Sequence, residues 1–260
     1  IALTIRREIT EHPIISKYFS VLGADAMVPA EFRVSGFKDF FTPGSTWLTA
    51  VKSVHEDEFF LDPTRMTVVC GTAGFDGTSF KGLLASKYNI QLNKTSRNSV
   101  LLQSNINNTR SDVALLIKVL LEISQGIEAH LAEGGESENA AFAAKVKSLM
   151  TDVPDLPNFS RFHDSYREDP NSITLEGDMR GAFFAAYDES GCEYIPLMDP
   201  KIDERLAKGP EMVSANFVIP YPPGFPIMVP GQVIDAGTIG FMRKLDVKEI
   251  HGYNGTRGLK

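Results

Sequence analysis

"DPTRMTVVCGT", Asp62 to Thr72, is the stretch whose reading decides the fold. Met66, Val68 and Cys70 alternate with Thr67 and Val69, the period-two pattern of a strand with one face on a hydrophobic core. The glycine-rich "AGFDGTS" that follows ends this strand and leads into a helix from about Ser79, carrying "FKGLLASKY". Two short strands come next, "IQLNKTS" and "SVLLQSNI", with the polar cluster Asn93 to Asn98 ("NKTSRN") between them. Polar residues at such a junction are what a hairpin turn favours. The clearest helix begins near Thr109 or Ser111, where Val113, Leu116, Ile117, Leu120, Leu121, Ile123 and Ile127 form a broad apolar face at 3.6 spacing. Strand, helix, two strands and helix predict an α+β unit, with the helices on one face of a small, largely antiparallel sheet.

The totals bound the rest. A chain of 260 residues with 43% hydrophobic and 23% charged residues has room for two domains of ordinary size. Its net charge of -7 excludes nucleic acid as the main partner, since no basic excess exists to meet phosphates. Two cysteines, Cys70 and Cys192, point to a reducing compartment and not to a disulfide scaffold. No run of about 18 apolar residues would span a membrane, and no basic-then-apolar leader is visible, so a cytoplasmic protein is expected. Ile1, Ile5 and Ile9 already repeat at helical spacing with no capping residue ahead of them, which predicts that the chain is a piece of something longer. The first helix should stop at His12, because the residue before a proline avoids the α region. Gly- and Glu-rich "AEGGESENAA" (residues 132–141) reads as a linker. The expected division is therefore 1–130, a linker at 131–157, and a second domain over 158–260.

Several chemical motifs are set aside on their spacing. "CGTAGFDG" lacks the G-x-G-x-x-G arrangement for a pyrophosphate and reads as a turn into a helix. The five histidines are scattered, and neither cysteine has a partner at metal-ligand spacing. Lys81 in "TSFKG" sits early in an amphipathic helix, where a solvated lysine is expected and not the desolvated amine of an imine-forming one. "VIPYPPGFPIMVPGQVI", Val218 to Ile234, holds five prolines among apolar residues. It suits neither a helix nor a ladder-paired strand, which leaves a stiff, mostly buried loop. Tyr221 within it carries a phenol that needs a partner when buried.

Taken in order, "FLDPTRMTVV", "NIQLNKTSRNSVLLQSNI", "YREDP" (Tyr166–Pro170), "MVSANFVIPYPPGFPIMVPGQVI" and "EIHGY" (Glu249–Tyr253) resemble one family. It is the bacterial ornithine/lysine/arginine decarboxylases, which use pyridoxal phosphate and have an aminotransferase-like fold. The resemblance implies the C-terminal portion of such an enzyme: a small aminotransferase-like α/β-sandwich domain followed by the family's α+β C-terminal domain. It implies a basic amino acid as substrate, decarboxylated to a polyamine-type amine with pyridoxal phosphate as the electron sink. The imine-forming lysine of the family's Ser-x-His-Lys motif has no match here, so no catalytic residue is expected in this chain, and the isolated chain should be inactive. The upstream cofactor-binding domain is then its partner, together with at least one further copy in a homodimer or larger homo-oligomer. "LNKTS" matches the family's Glu-Lys-Thr-Gly segment near the distal cation of the substrate, which makes Asn93, Lys94 and Thr95 candidate substrate-binding residues. Asn93 stands at the glutamate position and Ser96 at the glycine position, and a neutral amide loses the charge-assisted pairing of a carboxylate with a cation. Tyr221 matches a tyrosine lining the pocket, and Gln232 stands where many members have glutamate. The alternative is a non-catalytic regulatory or scaffolding relative built from these two domains alone.

Overall fold

Ile5 and Ile9 lie one turn apart on helix α1 (Ala2–Glu11) and are buried, so its apolar stripe holds the helix with no side-chain cap at Ile1. The computed structural model to which this helix belongs describes residues 1–40, 46–152, 156–169, 171, 176–221, 225–245 and 249–260, with backbone only at Trp47, Tyr221 and Glu249. Two compact units divide it, residues 1–153 and 154–260.

In the first unit α1 is followed by a 3-10 turn (Ile15–Lys17), β1 (Ser20–Val21), α2 (Ala24–Met27) and α3 (Trp47–Glu56). The last of these lies within residues 26–60, a stretch whose sequence shows no single periodicity. Thr46 caps it: its hydroxyl accepts from the Thr49 N–H (3.4 Å), and the Thr49 hydroxyl accepts from the Thr46 N–H (2.8 Å). β2 (Arg65–Val69), α4 (Gly77–Tyr88), β3 (Lys94–Thr95), β4 (Ser99–Gln103) and α5 (Arg110–Glu133) then follow as strand, helix, two strands and helix. Asp76 caps α4, and Thr109 with Asp112 forms a capping box at the start of α5.

The sheet runs in the order β1-β2-β4-β3, and every pairing is antiparallel. Met66, Val68, Val100 and Leu102 join Ile5, Ile9, Phe80, Leu84, Leu116 and Leu120 in one buried core. α1, α4 and α5 thus cover one sheet face. Arg65, Thr67, Leu101 and Gln103 alternate onto the opposite face. A Cβ on Gly77 would collide with the carbonyl oxygens of Ser96 and Ser99, so α4 can begin beneath the hairpin only because this residue has no side chain. Gly77→Ala is expected to lower stability by about 2 kcal/mol, as overpacking against backbone does. A urea midpoint unchanged from the parent chain would refute this close approach.

The expected linker is corrected in its content. α5 continues to Glu133, Gly134 and Gly135 make the break, and α6 (Glu136–Thr151) fills most of the remainder. The Glu138 carboxylate accepts from the Gly135 N–H (3.3 Å), Leu149 is buried, and α6 packs along the 3-10 turn Gly71–Ala73 within the first unit. Alanine, glutamate and lysine are good helix formers, and here their polarity marks a solvated helix instead of a flexible tether.

The second unit contains α7 (Met179–Ala185), α8 (Pro200–Lys208), β5 (Ile219–Tyr221), α9 (Ala236–Lys244), β6 (Glu249–His251), β7 (Tyr253–Asn254) and β8 (Gly258–Leu259). Its core is built from Ile195, Ile202, Met212, Val218, Met228, Ile239, Met242 and Leu259. Arg243 on α9 grips both carboxylate oxygens of Asp203 on α8 at 2.8 and 3.0 Å. The proline-rich stretch departs from expectation at one end, where Pro220 pairs with Ile250 inside the antiparallel β5–β6 ladder. In a two-stranded sheet each strand keeps a free edge, and there a proline's missing donor is tolerated. Further on, the Val218 N–H donates to the Met228 carbonyl (3.0 Å) and the Ile227 N–H to that of Val218 (2.9 Å), closing the loop on itself. Gly252 of "EIHGY" has φ of 77°, and a Cβ there would collide with the Phe217 carbonyl.

Candidate functional site

The hairpin that carries Asn93, Lys94 and Thr95 is held at its tip from below. The Asn98 carbonyl accepts from the N–H groups of Cys70 (2.8 Å) and Gly71 (2.9 Å), and the Ser96 N–H donates to the Ser99 carbonyl (2.8 Å). The Ser96 and Ser99 hydroxyls lie 2.6 Å apart, and Arg97 reaches the Ser148 carbonyl on α6 at 3.4 Å. The polar cluster is thus a braced turn.

Its three candidate residues do not act as one set. Lys94 pairs with Leu101 and is exposed on the open sheet face, while Thr95 pairs with Val100, whose side chain belongs to the core. The Asn93 side-chain amide donates to Oε1 of Gln103 at 3.0 Å. Gln103 in turn pairs with Arg65 across β2–β4. Neither Gln103 nor Arg65 was singled out from the sequence. Counting by twos from Leu101 along the expected strand would have put Gln103 on the same face, but which neighbour it meets depends on the strand order.

This polar edge borders a groove of about 540 Å³, with Met27, Phe32, Phe59 and Phe60 as walls and Thr67 and Leu101 as floor. Arg65 lines its rim, with Nε 3.9 Å from the Asp62 carboxylate. A hydrogen bond from the Thr64 hydroxyl, more than the nearby arginines, holds that carboxyl below its usual range.

In the second unit the Tyr221 backbone stands opposite Glu249; its side chain, and Pro222 to Gly224, lie outside the described residues. Gln232 is buried: its Oε1 accepts from the Val229 N–H and its Nε2 donates to the Ser160 carbonyl, both at 2.9 Å. An amide does both at neutral pH, whereas an ionised carboxylate could only accept. A cavity of about 480 Å³ lies among Ile195, Ile202, Met212 and Ile239, and the charged groups Glu193, Arg205 and Lys260 on its lining are already engaged with protein partners.

An imine-forming lysine needs a shielded position and a lowered pKa. Among the described lysines only Lys81 and Lys260 are not exposed. The Lys260 ammonium donates to Glu189 and to the Ala186 carbonyl, each at 2.8 Å, and the bond to Glu189 pushes its pKa up, the wrong direction for a nucleophilic amine. Lys260 therefore does not fit the imine-forming part of a pyridoxal phosphate site. Burial pushes the Cys70 thiol up to about 12, so it stays protonated at neutral pH. Among the described residues no group of three metal-ligating side chains comes together, and no helix is long and apolar enough to cross a membrane.

The curated proteins whose sequences resemble this chain are arginine and lysine decarboxylases. The chain is 24% identical to an arginine decarboxylase of Bacillus subtilis over 183 residues, 70% of this chain and 29% of that protein. It is also 24% identical to an arginine decarboxylase of Bacillus anthracis, over 81% of this chain and 33% of that one. The constitutive lysine decarboxylase of Escherichia coli is 24% identical over 74% of this chain and 28% of its own length. The fold is similar to that of the Francisella novicida lysine decarboxylase (TM-score 0.55, 17% identity, 99% of this chain and 38% of that one). It is likewise similar to the fold of lysine decarboxylase A from Pseudomonas aeruginosa (TM-score 0.52, 16% identity, with the same coverage of both chains). No family model matches the chain. The chain spans about a third of the length of these curated relatives, and the similarity supports a decarboxylase-related function.

Proposed function

We propose that this chain is the C-terminal part of a pyridoxal-phosphate-dependent decarboxylase of the arginine/lysine/ornithine type. One observation carries the reading: the motifs that resemble the family run in order along a chain whose sequence relatives are arginine and lysine decarboxylases over 70% to 81% of its length. In this proposal the imine lysine and the other groups that hold the cofactor belong to an upstream domain, and the cofactor supplies the electron sink for loss of carbon dioxide. The first unit is then the small aminotransferase-like domain and the second the family's C-terminal domain. In this proposal Asn93, Lys94 and Thr95 of the first unit, and Tyr221 of the second, are substrate-binding residues of the complete enzyme. The complete protein works in the cytoplasm as a homodimer or larger assembly.

Extending the reading frame upstream is the first test. An in-frame Ser-x-His-Lys segment supports the proposal; an initiator Met just before Ile1 would sink it and favour a non-catalytic relative. The second test is chemical. The longer protein should bind pyridoxal phosphate as an imine and release carbon dioxide from an amino acid. The present chain should do neither, and Lys81→Ala should change nothing. A stoichiometric imine absorbance in the isolated chain, abolished by that substitution, would refute this division of labour.

A further inference from the structure

Inside the second unit, the chain from Met212 to Ala215 is paired along one edge and open along the other. Val213 faces Val233 in an antiparallel bridge. The flanking bonds run from the Ser214 N–H to the Gln232 carbonyl and from the Ile234 N–H to the Met212 carbonyl, both at 2.8 Å. Val213 is therefore a non-hydrogen-bonded position, and its own N–H and C=O turn to the opposite edge. There the Ala215 N–H donates to the Lys260 carbonyl (3.1 Å), but the N–H and C=O of Val213 have no partner among the described residues. Val213, Ala215 and Lys260 all line the cavity of about 480 Å³. A half-buried backbone donor and acceptor that both lack a protein partner are uncommon, and this pair is presented to a ready-made space.

We infer that this cavity is a binding site for a free apolar α-amino acid in its zwitterionic form, separate from any decarboxylase substrate site and not dependent on that reading. The ligand carboxylate accepts from the Val213 N–H and from Arg205, and the ligand ammonium donates to the Val213 C=O. An antiparallel neighbour makes the same two-way exchange with one strand residue, and here a single amino acid supplies it. Arg205 has the capacity: its Nε is spent on the Pro210 carbonyl (2.9 Å) and Nη1 on Glu193 (2.6 Å), while Nη2 has no partner. The half-buried Tyr166 phenol is likewise unpartnered on the lining and can serve either end of the ligand.

Ile195, Ile202, Ile234, Ile239 and Leu259 supply the apolar surface for the side chain, and the volume is that of a small-ligand cavity. The charges around it select a ligand without net charge. Glu211 is gripped by Arg161 at 2.8 and 2.7 Å, Glu193 by Lys201 and Arg205 at 2.6 Å each, and Lys260 donates to Glu189 at 2.8 Å. Asp188, the remaining acid of the lining, accepts from the Ser190 N–H and hydroxyl. Arg161, Lys201, Arg205 and Lys260 thus balance Asp188, Glu189, Glu193 and Glu211. A zwitterion keeps that balance, whereas a charged side chain would enter the apolar interior uncompensated.

Titration calorimetry of the chain should show saturable binding of leucine or phenylalanine, with lysine, glutamate, leucinamide and 4-methylpentanoate each at least about tenfold weaker. Leucinamide lacks the carboxylate that the Val213 N–H and Arg205 would bind, and 4-methylpentanoate lacks the ammonium. Hydrogen exchange locates the ligand: the Val213 amide should slow about tenfold when leucine stands at ten times its Kd, while the amides of β2 in the first unit keep their rates. Val213→Pro removes the donor without costing the fold a hydrogen bond, and it should weaken leucine binding about tenfold. If that variant does not fold, leucinamide and 4-methylpentanoate still test both ends of the ligand on the parent chain. No saturable binding of leucine or phenylalanine, tightest binding of lysine or glutamate, an analogue bound as tightly as leucine, or binding that leaves Val213 exchange unchanged would each overturn the inference.

Discussion

Gln232→Glu should destabilise the second unit by about 3 kcal/mol at pH 7 and by little at pH 3.5, because a carboxylate would have to be buried against a carbonyl oxygen. Gln232 is 3% exposed, its Nε2 donates to Ser160, and its Oε1 accepts from Val229. A glutamate keeps the acceptor and, when ionised, loses the donor. Its folded pKa would therefore lie above the unfolded value of about 4.3. Below that unfolded value the carboxyl is protonated in both states, donates to Ser160 as the amide did, and the fold is as stable as the parent. As pH rises through 4.3 the unfolded chain ionises first, and the loss grows until the folded carboxyl ionises as well. Calorimetry at the two pH values, each against the parent chain at the same pH, reads the difference. Hydrogen exchange at the Val229 amide reports the site directly, since its acceptor is the substituted side chain. Equal losses at both pH values would mean that packing, not charge, is responsible, and no loss at pH 7 would contradict the buried two-ended amide.

How much of this was legible in the sequence depended on whether one periodicity dominated. β2 and α5 could be read because their apolar residues repeat at two and at 3.6 and end up in one core. α3 was missed because Leu48, Val51 and Val54 are exposed, so no stripe faces inward along most of its length, and its start is fixed by a Thr46–Thr49 pair that is weak as a signal. The helix in "FAAKVKSLM" (residues 142–150) is legible in the sequence, but the first turns of α6 were taken for a linker because their polar, Glu-rich composition looks like a tether. The candidate site divides in the same way. Asn93 and Lys94 could be named from a motif, but their grouping with Gln103 and Arg65 is a product of strand order and register, which no local pattern encodes. Gln232 shows the converse. Its identity looked like a lost charge, and only the two partners of its amide reveal that an acceptor and a donor are both in use there.

Arg6→Met should cost the first unit about 3 to 5 kcal/mol, because backbone carbonyls at its buried end lose a charged hydrogen-bond donor. Arg6 is 1% exposed on α1, and its guanidinium donates to three backbone carbonyls: Leu22 at 3.1 Å, Pro63 at 3.3 Å and Arg65 at 3.0 Å. It thereby fastens the first helix to the chain leaving β1 and to the entry of β2. Its Cζ also lies 5.3 Å from the centroid of the Phe40 ring. Burial pushes its pKa down, and the negative charges of Asp39 and Asp62 oppose that shift, so the group stays charged at neutral pH. Methionine replaces most of the aliphatic stem, so the packing loss is small; what remains is three carbonyls without their donor, each worth about 1 to 3 kcal/mol when left unsatisfied. Arg6→Lys should recover only part of the loss, because an ammonium on a flexible stem cannot span three acceptors set for a planar fork. Urea midpoints of the three proteins give the order arginine, lysine, methionine. The effect should also reach the candidate site, since Arg65 supplies one of the carbonyls and is the residue opposite Gln103. Faster amide exchange at the Arg65 end of β2 in Arg6→Met, with β4 less affected, would show that the clip holds the edge in register. A methionine variant within about 1 kcal/mol of the parent would mean that the guanidinium is replaceable by bulk alone, and the clip would then have no role.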